Sequence, residues 1–433
     1  MITAEFERLV SIGLGRAVLH LRDNDPCPFR DVILDACLHN KAYDAQIDGG
    51  RAEYLVDLIQ ASGDPAFFEN AVISSLGEPP KNWDTQQRFQ IARLLAQSGN
   101  QSARDAMYSA FASLGKSASD VAVEFVELDG IEGLLFVAGE IGVQLAQDPD
   151  RWEDDELLFN GGEICGKETV ESSLMAAALS NAGIRHYLGA VETNRTLRSS
   201  VSRLDASVLG YSEVKERIAS GNASGTLARW GRTASDADLA LAAHDLVQET
   251  DPKRLIAYLN LFRQRHFPLD FDFLIRLVVS QPDGPVPRHA LRVLANVEDE
   301  KVRSLAFSLV ESGASNRIYA VDLLIKNFRD GDHEIVSAWW NDETDPDYLQ
   351  SFGSSIVSFL TAHPGSPIET GLLRKVYERQ LCAHCRHSVV ERLLQLGGLT
   401  DNLRRECEYD SYPETRDLLR SQPRACAPNL KIP

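Results

Sequence analysis

Residues 287–311 read PRHALRVLANVEDEKVRSLAFSLVE, and this stretch decides the fold class. Its apolar residues recur every three or four positions on both sides of a short polar break, which is the periodicity of two amphipathic helices. Pro287 stands in the first turn of the first helix, where its missing N–H costs little, and Asp299 is a favoured N-cap residue for the second. The stretch therefore predicts two antiparallel helices joined by a tight turn.

The same pair of helices recurs along the chain. Gly and Pro mark the predicted boundaries, and the alternation of apolar and polar residues that indicates strands is nearly absent. The sequence therefore predicts an all-α fold of about two dozen short helices. Such pairs do not surround one compact core, so we expect them to stack side by side as an α-α superhelix. Further predicted pairs are residues 52–61 with 65–76, 84–98 with 100–114, and 252–266 with 271–280.

The charge of the chain limits its partners. The 433 residues include 44 Lys and Arg against 63 Asp and Glu, which gives a formal net charge of −19. Binding to nucleic acid depends on Lys and Arg displacing counterions from phosphates, and anionic membranes likewise attract basic segments. We therefore expect neither a nucleic-acid partner nor a membrane surface.

Charge and regularity divide the chain into three segments. Residues 1–160 contain 27 acidic residues against 12 Lys and Arg, whereas residues 161–250 and 251–433 are nearly balanced. We expect acidic helical repeats in the first segment, a less regular, Ser-rich helical middle in the second, and further repeats in the third, all within one continuous solenoid. The acidity of the first segment favours a partner with a basic surface, and the sequence leaves the oligomeric state open.

A motif within the opening stretch resembles a known repeat. After Asp299, a Val-Arg pair and then Ala and Leu follow at the offsets of the second helix of a HEAT repeat. The chain thus resembles HEAT and armadillo-type α-solenoid proteins, most clearly over residues 285–421. The resemblance implies that Asp residues cap helices and that each Arg bridges to the turn of a neighbouring repeat, with ligand binding as the alternative. The residues concerned are Asp44, Arg51, Asp299, Arg303, Arg386, Asp410 and Arg416.

The resemblance implies two classes of function, because a fold alone does not determine activity. No familiar catalytic motif is present, which favours a non-enzymatic scaffold or adaptor that binds a protein partner through its extended surface. The alternative is a HEAT-type enzyme, or a lyase-like or chaperone-like protein that handles a cofactor in the concave groove. Among such enzymes, alkylpurine DNA glycosylases use a basic face, and deoxyhypusine hydroxylase uses paired His-Glu dyads, of which only His333-Glu334 is present here.

Three cysteines form the densest candidate site for a metal or for redox chemistry. Cys382 and Cys385 have the C-x-x-C spacing that supplies two zinc ligands from one turn, and Cys407 follows near the next predicted turn. No second C-x-x-C is present, and the fourth ligand is open between His384, His387 and Cys426. Buried thiols on a helix face explain the same spacing. We therefore predict no cofactor, and we keep zinc as the alternative.

Tryptophans mark two further candidate regions. Trp339 and Trp340 are adjacent on a predicted helix and point about 100° apart, so one should be buried and the other can be presented to a partner. Packing of both indoles in the core is the equally weighted alternative. The acidic loop over residues 148–156 is a candidate for a cation or a basic partner. The preferred interpretation of this loop is a solvated segment in which Trp152 is the hydrophobic anchor.

The cysteines also indicate the compartment. Seven cysteines, an odd number, are scattered along a chain that is long enough to form its own core, which is typical of reduced thiols in the cytoplasm. The first ten residues lack the pattern of a signal peptide. We therefore expect a cytoplasmic protein in which the glycosylation sequons at Asn194 and Asn222 are accidental.

Overall fold

The structure is a computed structural model, and it describes residues 1–48, 50–148, 151–200, 209–221, 226–280 and 283–421. Of these residues 75% are helical, and none lies in a strand. The prediction of an all-α fold is therefore confirmed, whereas the superhelical stacking of the pairs stays a prediction. Within the same residues, no helix is both long enough and apolar enough to cross a membrane.

The α helices follow the predicted pattern of short elements separated by turns. Short 3-10 helices lie at Cys27–Phe29, Ala112–Ser117 and Ser315–Tyr319. In chain order, the α helices are α1 (Thr3–Ile12), α2 (Arg16–Asp23), α3 (Arg30–Leu38), α4 (Ala52–Ala61), α5 (Pro65–Ser75), α6 (Asn82–Gln97), α7 (Gln101–Phe111), α8 (Ala118–Asp129), α9 (Ile131–Gln147), α10 (Glu156–Cys165), α11 (Lys167–Ala178), α12 (Ala182–Ser200), α13 (Tyr211–Ala219), α14 (Thr226–Thr233), α15 (Asp236–Gln248), α16 (Pro252–Leu261), α17 (Asp272–Ser280), α18 (Pro285–Leu294), α19 (Glu300–Glu311), α20 (Ala320–Lys326), α21 (Asp332–Asp342), α22 (Pro346–Ala362), α23 (Glu369–Arg379), α24 (Ala383–Gln395), α25 (Asp401–Cys407) and α26 (Pro413–Arg420).

The helices group into two compact units. Unit 1 comprises residues 1–202, 382–387 and 399–433, and unit 2 comprises residues 203–381 and 388–398. Unit 1 therefore contains α1–α12, the first turn of α24, and the last two helices. The division near residue 202 falls within the Ser-rich middle segment, and the three segments defined by charge stay a description of the sequence.

Helix boundaries agree with the sequence where caps and prolines define them. The opening stretch forms α18 and α19, and the Asp299 carboxylate accepts a hydrogen bond from the Lys301 N–H at 2.8 Å, as an N-cap does. The helix predicted over residues 252–266 ends earlier, at Leu261. Pro268 disfavours helical backbone at the residue before it, and Phe262 and Phe267 pack edge to face in the resulting turn.

Glycines allow two long helices of unit 1 to lie in close contact. A Cβ atom at Gly142 of α9 would lie 1.8 Å from the carbonyl oxygen of Gly183 in α12. A Cβ atom at Gly133 would lie 2.0 Å from the carbonyl oxygen of Phe125 in α8. No larger residue fits at either position without separating the helices, so these glycines serve helix packing.

Buried arginines bridge between turns in both units. In unit 2, Arg303 of α19 forms two 2.6 Å hydrogen bonds to the Asp332 carboxylate at the start of α21 and donates to the Asn327 carbonyl oxygen at 2.8 Å. This is the contact to a following turn that the repeat pattern predicts. Asp44 differs, because its carboxylate accepts from the Gln46 N–H at 3.1 Å and so caps its own turn.

In unit 1 these arginines join opposite ends of the chain. Arg386 forms a fully buried ion pair with Asp410 at 3.3 Å. Arg416 of α26 contacts the Asp57 carboxylate of α4 at 2.9 Å, and Arg51 donates to the carbonyl oxygen of Val10 at 2.8 Å. The last helices of the chain therefore pack against the first helices within a single unit.

Candidate binding cleft

A cavity of about 650 Å³ opens on unit 1 between the start of α6, the start of α8 and the loop that precedes α10. Two exposed indoles and four carboxylates line it, together with smaller polar groups. We call this region the acidic cleft, and we define it by Trp83, Asp120, Trp152, Glu153, Asp154 and Glu156.

A second cavity continues the cleft past Trp83. Its volume is about 640 Å³, and it shares Gln46, Asn82 and Trp83 with the first cavity. The loop over residues 40–46 forms its far wall. The linings of the two cavities together contain six carboxylates and three cationic side chains, so the combined surface is acidic.

The loop that carries Trp152 is fixed by buried charges on either side. The Arg151 guanidinium donates to the Gln144 side-chain oxygen at 2.6 Å and to the Ser119 hydroxyl at 2.9 Å. The same hydroxyl donates to the Glu153 carboxylate at 2.9 Å, and the Arg151–Glu153 ion pair measures 3.4 Å. Glu153 is 5% exposed, whereas Trp152 between the two charges is 55% exposed. The loop thus buries the charges of Arg151 and Glu153 and exposes the indole between them.

The interpretation of Trp152 as a hydrophobic anchor is therefore wrong. Arg151 and Glu153 anchor the loop instead, because Ser119 and Gln144 supply the hydrogen bonds that compensate burial of a charge. The buried Asn194 side chain adds a hydrogen bond to the carbonyl oxygen of Glu153. That packing contact agrees with our interpretation of its sequon as accidental, and Asn222 lies outside the described residues.

The opposite wall depends on an unusual backbone at the start of α6. Asn82, just before Trp83, has φ of +27°, which non-glycine residues rarely adopt. The Lys81 N–H donates to the Thr85 hydroxyl at 2.8 Å, which holds this turn in place. Trp83 is 37% exposed in the resulting position. Strained backbone is retained where surrounding contacts determine it, and such positions cluster at ligand sites.

Burial changes the protonation of two carboxylates in the cleft. Loss of solvent raises the pKa of Asp120 above its usual range, and the nearby Arg151 guanidinium offsets part of that rise. Burial also raises the pKa of Glu153, which Ser119 and Arg151 partly counteract. Both side chains therefore take up a proton at a higher pH than a solvated carboxylate does.

The tryptophan pair of unit 2 divides as its spacing predicts. Trp340 is completely buried, and the Arg379 guanidinium lies 5.3 Å from its ring centroid. Trp339 is only partly buried, packs edge to face on Phe307, and lines a hollow of about 330 Å³. Trp339 is thus the member of the pair that is open to solvent, and its role in partner binding stays a prediction.

The candidate zinc cysteines lie in unit 1. Cys382 and Cys407 are buried, Cys385 is partly exposed, and the Cys382 thiol donates to the Asp48 carboxylate at 3.1 Å. In the part of the chain that the structure describes, no three His, Cys, Asp or Glu side chains are grouped to hold a metal ion. Cys426 lies outside those residues. The zinc alternative gains no support from this geometry.

Sequence reasoning missed two of the six residues that define the acidic cleft. The acidic loop and Trp152 stood out, but Trp83 lies just before the predicted helix over residues 84–98, and Asp120 lies outside the predicted helix pairs. Comparison of the chain with protein-family models, with curated proteins and with solved structures gave no match.

Proposed function

We propose that this protein is a non-enzymatic scaffold or adaptor, and that its acidic cleft binds a cationic segment of a protein partner. The observation that carries the proposal is the exposure of Trp152 between the buried charges of Arg151 and Glu153. An indole that is exposed between two anchored residues loses the free energy of its own burial. Such an arrangement is typical of a surface that gains this free energy on binding, and tryptophan is a frequent hot-spot residue.

The chemistry of the walls supports a cationic ligand. Indole faces attract ammonium and guanidinium groups, and the attraction strengthens when the cation is desolvated. Asp120, Asp154 and Glu156 supply carboxylates beside the two indoles. The guanidinium of Arg151 is already engaged by Glu153, Ser119 and Gln144, so it does little to repel an incoming cation.

An arginine side chain is the best match to this surface. Its planar guanidinium stacks on aromatic rings and donates to two carboxylate oxygens at once, which lysine does not do. The acidity of residues 1–160 would attract such a segment from a distance, with a rate that decreases as salt increases.

The wider interpretation as a HEAT-type scaffold in the cytoplasm belongs to the same proposal. The bidentate contact between Arg303 and Asp332 supports it, because it links one helix pair to the following turn. No disulfide joins the cysteines in the described ranges, which agrees with reduced thiols.

Isothermal titration with a short oligo-arginine peptide tests the proposal, with an oligo-glutamate peptide of equal length as the ligand control. We expect saturable binding that weakens with salt and falls about tenfold or more in Trp152→Ala, as loss of a hot-spot residue does. Leu179→Ala removes an apolar side chain that is 87% exposed outside the cleft, so it serves as the matched variant.

The competing outcomes are distinct. Equal affinity of Trp152→Ala and wild type would place the ligand elsewhere. A loss in Trp339→Ala instead would identify unit 2 as the binding unit. Absence of any salt-dependent binding of the arginine peptide would contradict the cationic ligand itself.

One observation favours the enzymatic alternative. Two carboxylates with raised pKa in one cleft are typical of groups that transfer protons. The Glu153 carboxylate is occupied by Ser119 and Arg151, however, which leaves Asp120 as the group that faces a ligand. Because a single carboxylate is a weak basis for catalysis, we prefer the binding function.

A further inference from the structure

Cys382 and Cys385 lie together at the beginning of α24. Cys382 immediately precedes the helix and is 3% exposed, and Cys385 is its third residue and is partly exposed. The backbone N–H of Arg386 donates to the carbonyl oxygen of Cys382 at 3.1 Å, so Cys382 and Cys385 belong to one helical turn. Residues three apart in an α-helix have Cα atoms about 5 Å apart, and a disulfide joins Cα atoms about 4.4–6.8 Å apart. The helical turn therefore matches the dimensions of a disulfide.

A buried carboxylate contacts this pair from a distant part of the sequence. Asp48 lies in the loop between α3 and α4 and is 2% exposed. One of its oxygens accepts from the Cys382 thiol at 3.1 Å, from the Ala383 N–H at 2.9 Å and from the His384 N–H at 3.4 Å. Asp48 thus caps the N-terminus of α24 and also contacts a sulfur atom.

Helix capping alone explains only part of this arrangement. The two backbone N–H groups of α24 account for a cap. Capping does not explain why the Cys382 thiol contacts the same Asp48 oxygen. Burial of a carboxylate costs free energy, and a thiol in the core needs no hydrogen-bond acceptor. Cys37 provides the comparison, since it is a fully buried thiol whose pKa is raised to about 12 by burial alone.

We propose that Cys382 and Cys385 are a redox-active dithiol that exchanges with low-molecular-weight disulfides, with Asp48 accepting the proton of Cys382. This inference goes beyond the binding function and does not depend on the acidic cleft. It concerns the chemistry of three side chains within unit 1.

The two sulfurs have different roles because their surroundings differ. The hydrogen bond with Cys385, together with burial and Asp48, raises the pKa of the Cys382 thiol. Cys382 therefore stays protonated, and the more exposed Cys385 reacts first. A thiolate is the form that attacks a disulfide.

The exchange balances in two steps. Cys385 loses its proton to solvent, and its thiolate attacks one sulfur of the small disulfide. The S–S bond breaks, Cys385 forms a mixed disulfide, and the small thiolate that leaves takes up a proton from solvent. Cys382 then gives its proton to Asp48 and attacks the Cys385 sulfur, which expels the second small thiolate. That thiolate takes up the proton. Two protein thiols are oxidised to one disulfide, and one small disulfide is reduced to two thiols.

The test treats the reduced full-length protein with bis(2-hydroxyethyl) disulfide under native conditions, blocks remaining thiols, and maps the cysteines by mass spectrometry. We expect a Cys382–Cys385 disulfide that a dithiol reductant reverses. Cys382→Ser should stop at the mixed disulfide on Cys385. Cys27→Ser, which removes an exposed thiol outside the pair, should change nothing.

Asp48→Asn separates the proton-accepting role from the cap. The amide oxygen of asparagine still accepts from the α24 N–H groups, but it does not take the proton. We expect the mixed disulfide to form at the wild-type rate and ring closure to slow at least tenfold. Closure at the wild-type rate would overturn the role of Asp48. Formation of the Cys382–Cys385 disulfide in the wild-type protein only after denaturation would overturn the whole proposal, and this result needs no variant.

Discussion

The backbone N–H of Ser411 donates to the carbonyl oxygen of Gly13 at 2.9 Å, which joins a turn near the start of the chain to one near its end. Gly13 has φ of +74°, and a Cβ atom there would lie 1.9 Å from the Ser411 hydroxyl oxygen. The Arg51 guanidinium lies on the same side, 2.8 Å from that position. Only glycine fits this junction, so a Gly13→Ala substitution, which adds a single methyl group, tests it.

Gly13→Ala should destabilise unit 1 by more than the backbone penalty alone. A left-handed backbone costs a non-glycine residue about 1–2 kcal/mol, and the clash with Ser411 adds to it. Gly99→Ala is the matched control, because Gly99 has φ of +101° but open space around its Cβ position. Denaturant unfolding of both variants measures the difference. Equal losses would mean that Ser411 does not pack on Gly13.

Asp410→Ala should be strongly destabilising. Removal of one partner of a fully buried ion pair leaves the other charge uncompensated, at about 3–5 kcal/mol, and Arg386 is such a partner. Asp64→Ala breaks the exposed pair with Arg30 and should cost less than about 1 kcal/mol. Urea unfolding compares the two variants. A double replacement of Arg386 and Asp410 by apolar residues should recover much of the loss, and no recovery would contradict this account.

Unit 2 should lose stability in mild acid through His289. Burial, reinforced by Arg292, Arg288 and Arg263, lowers the pKa of His289 from 6.5 to about 4. The unfolded chain binds a proton below pH 6.5 that the folded chain does not accept until about pH 4. The free energy of unfolding therefore decreases as the pH falls from 6.5 to about 4. His289→Gln should remove this contribution, measured as the wild-type minus variant free energy of unfolding from pH 7 to 4. A pH-independent difference would contradict the prediction.

The affinity of the acidic cleft for a cationic peptide should fall as pH decreases. The raised pKa of Asp120 and of Glu153 means that both lose their charge at a higher pH than solvated carboxylates do. Titrations between pH 7 and 5 should show the decline in the wild-type protein. In Asp120→Asn the profile should start from a weaker affinity and be flatter, and an unchanged slope would show that Asp120 does not face the ligand.

Local rules account for much of the fold. The 3.6-residue periodicity and the caps at Asp299 and Pro252 predict α19 and α16 at their observed starts. The pairing of Arg303 with the turn at Asp332 also follows from a repeating pattern. Each of these features depends on residues within about thirty positions of each other, where helix geometry limits the choices.

The features that sequence reasoning missed depend on contacts between distant segments. Nothing near Cys382 indicates that Asp48 reaches its thiol. Nothing near Trp152 indicates that Ser119 and Gln144 stabilise the charges on either side of it. The different burial of Trp339 and Trp340 could be predicted from the sequence, because a helix separates neighbouring side chains by a fixed angle.

The junction between Gly13 and Ser411 has a consequence for synthesis of the protein. At about 5–20 residues per second, the ribosome completes the segment around Ser411 about 20 to 70 seconds after the helices that it covers have emerged. Until then, the Gly13 carbonyl oxygen and the Asp57 carboxylate lack their partners from this segment. Unit 1 therefore completes its folding only after the segment around Ser411 has emerged from the ribosome.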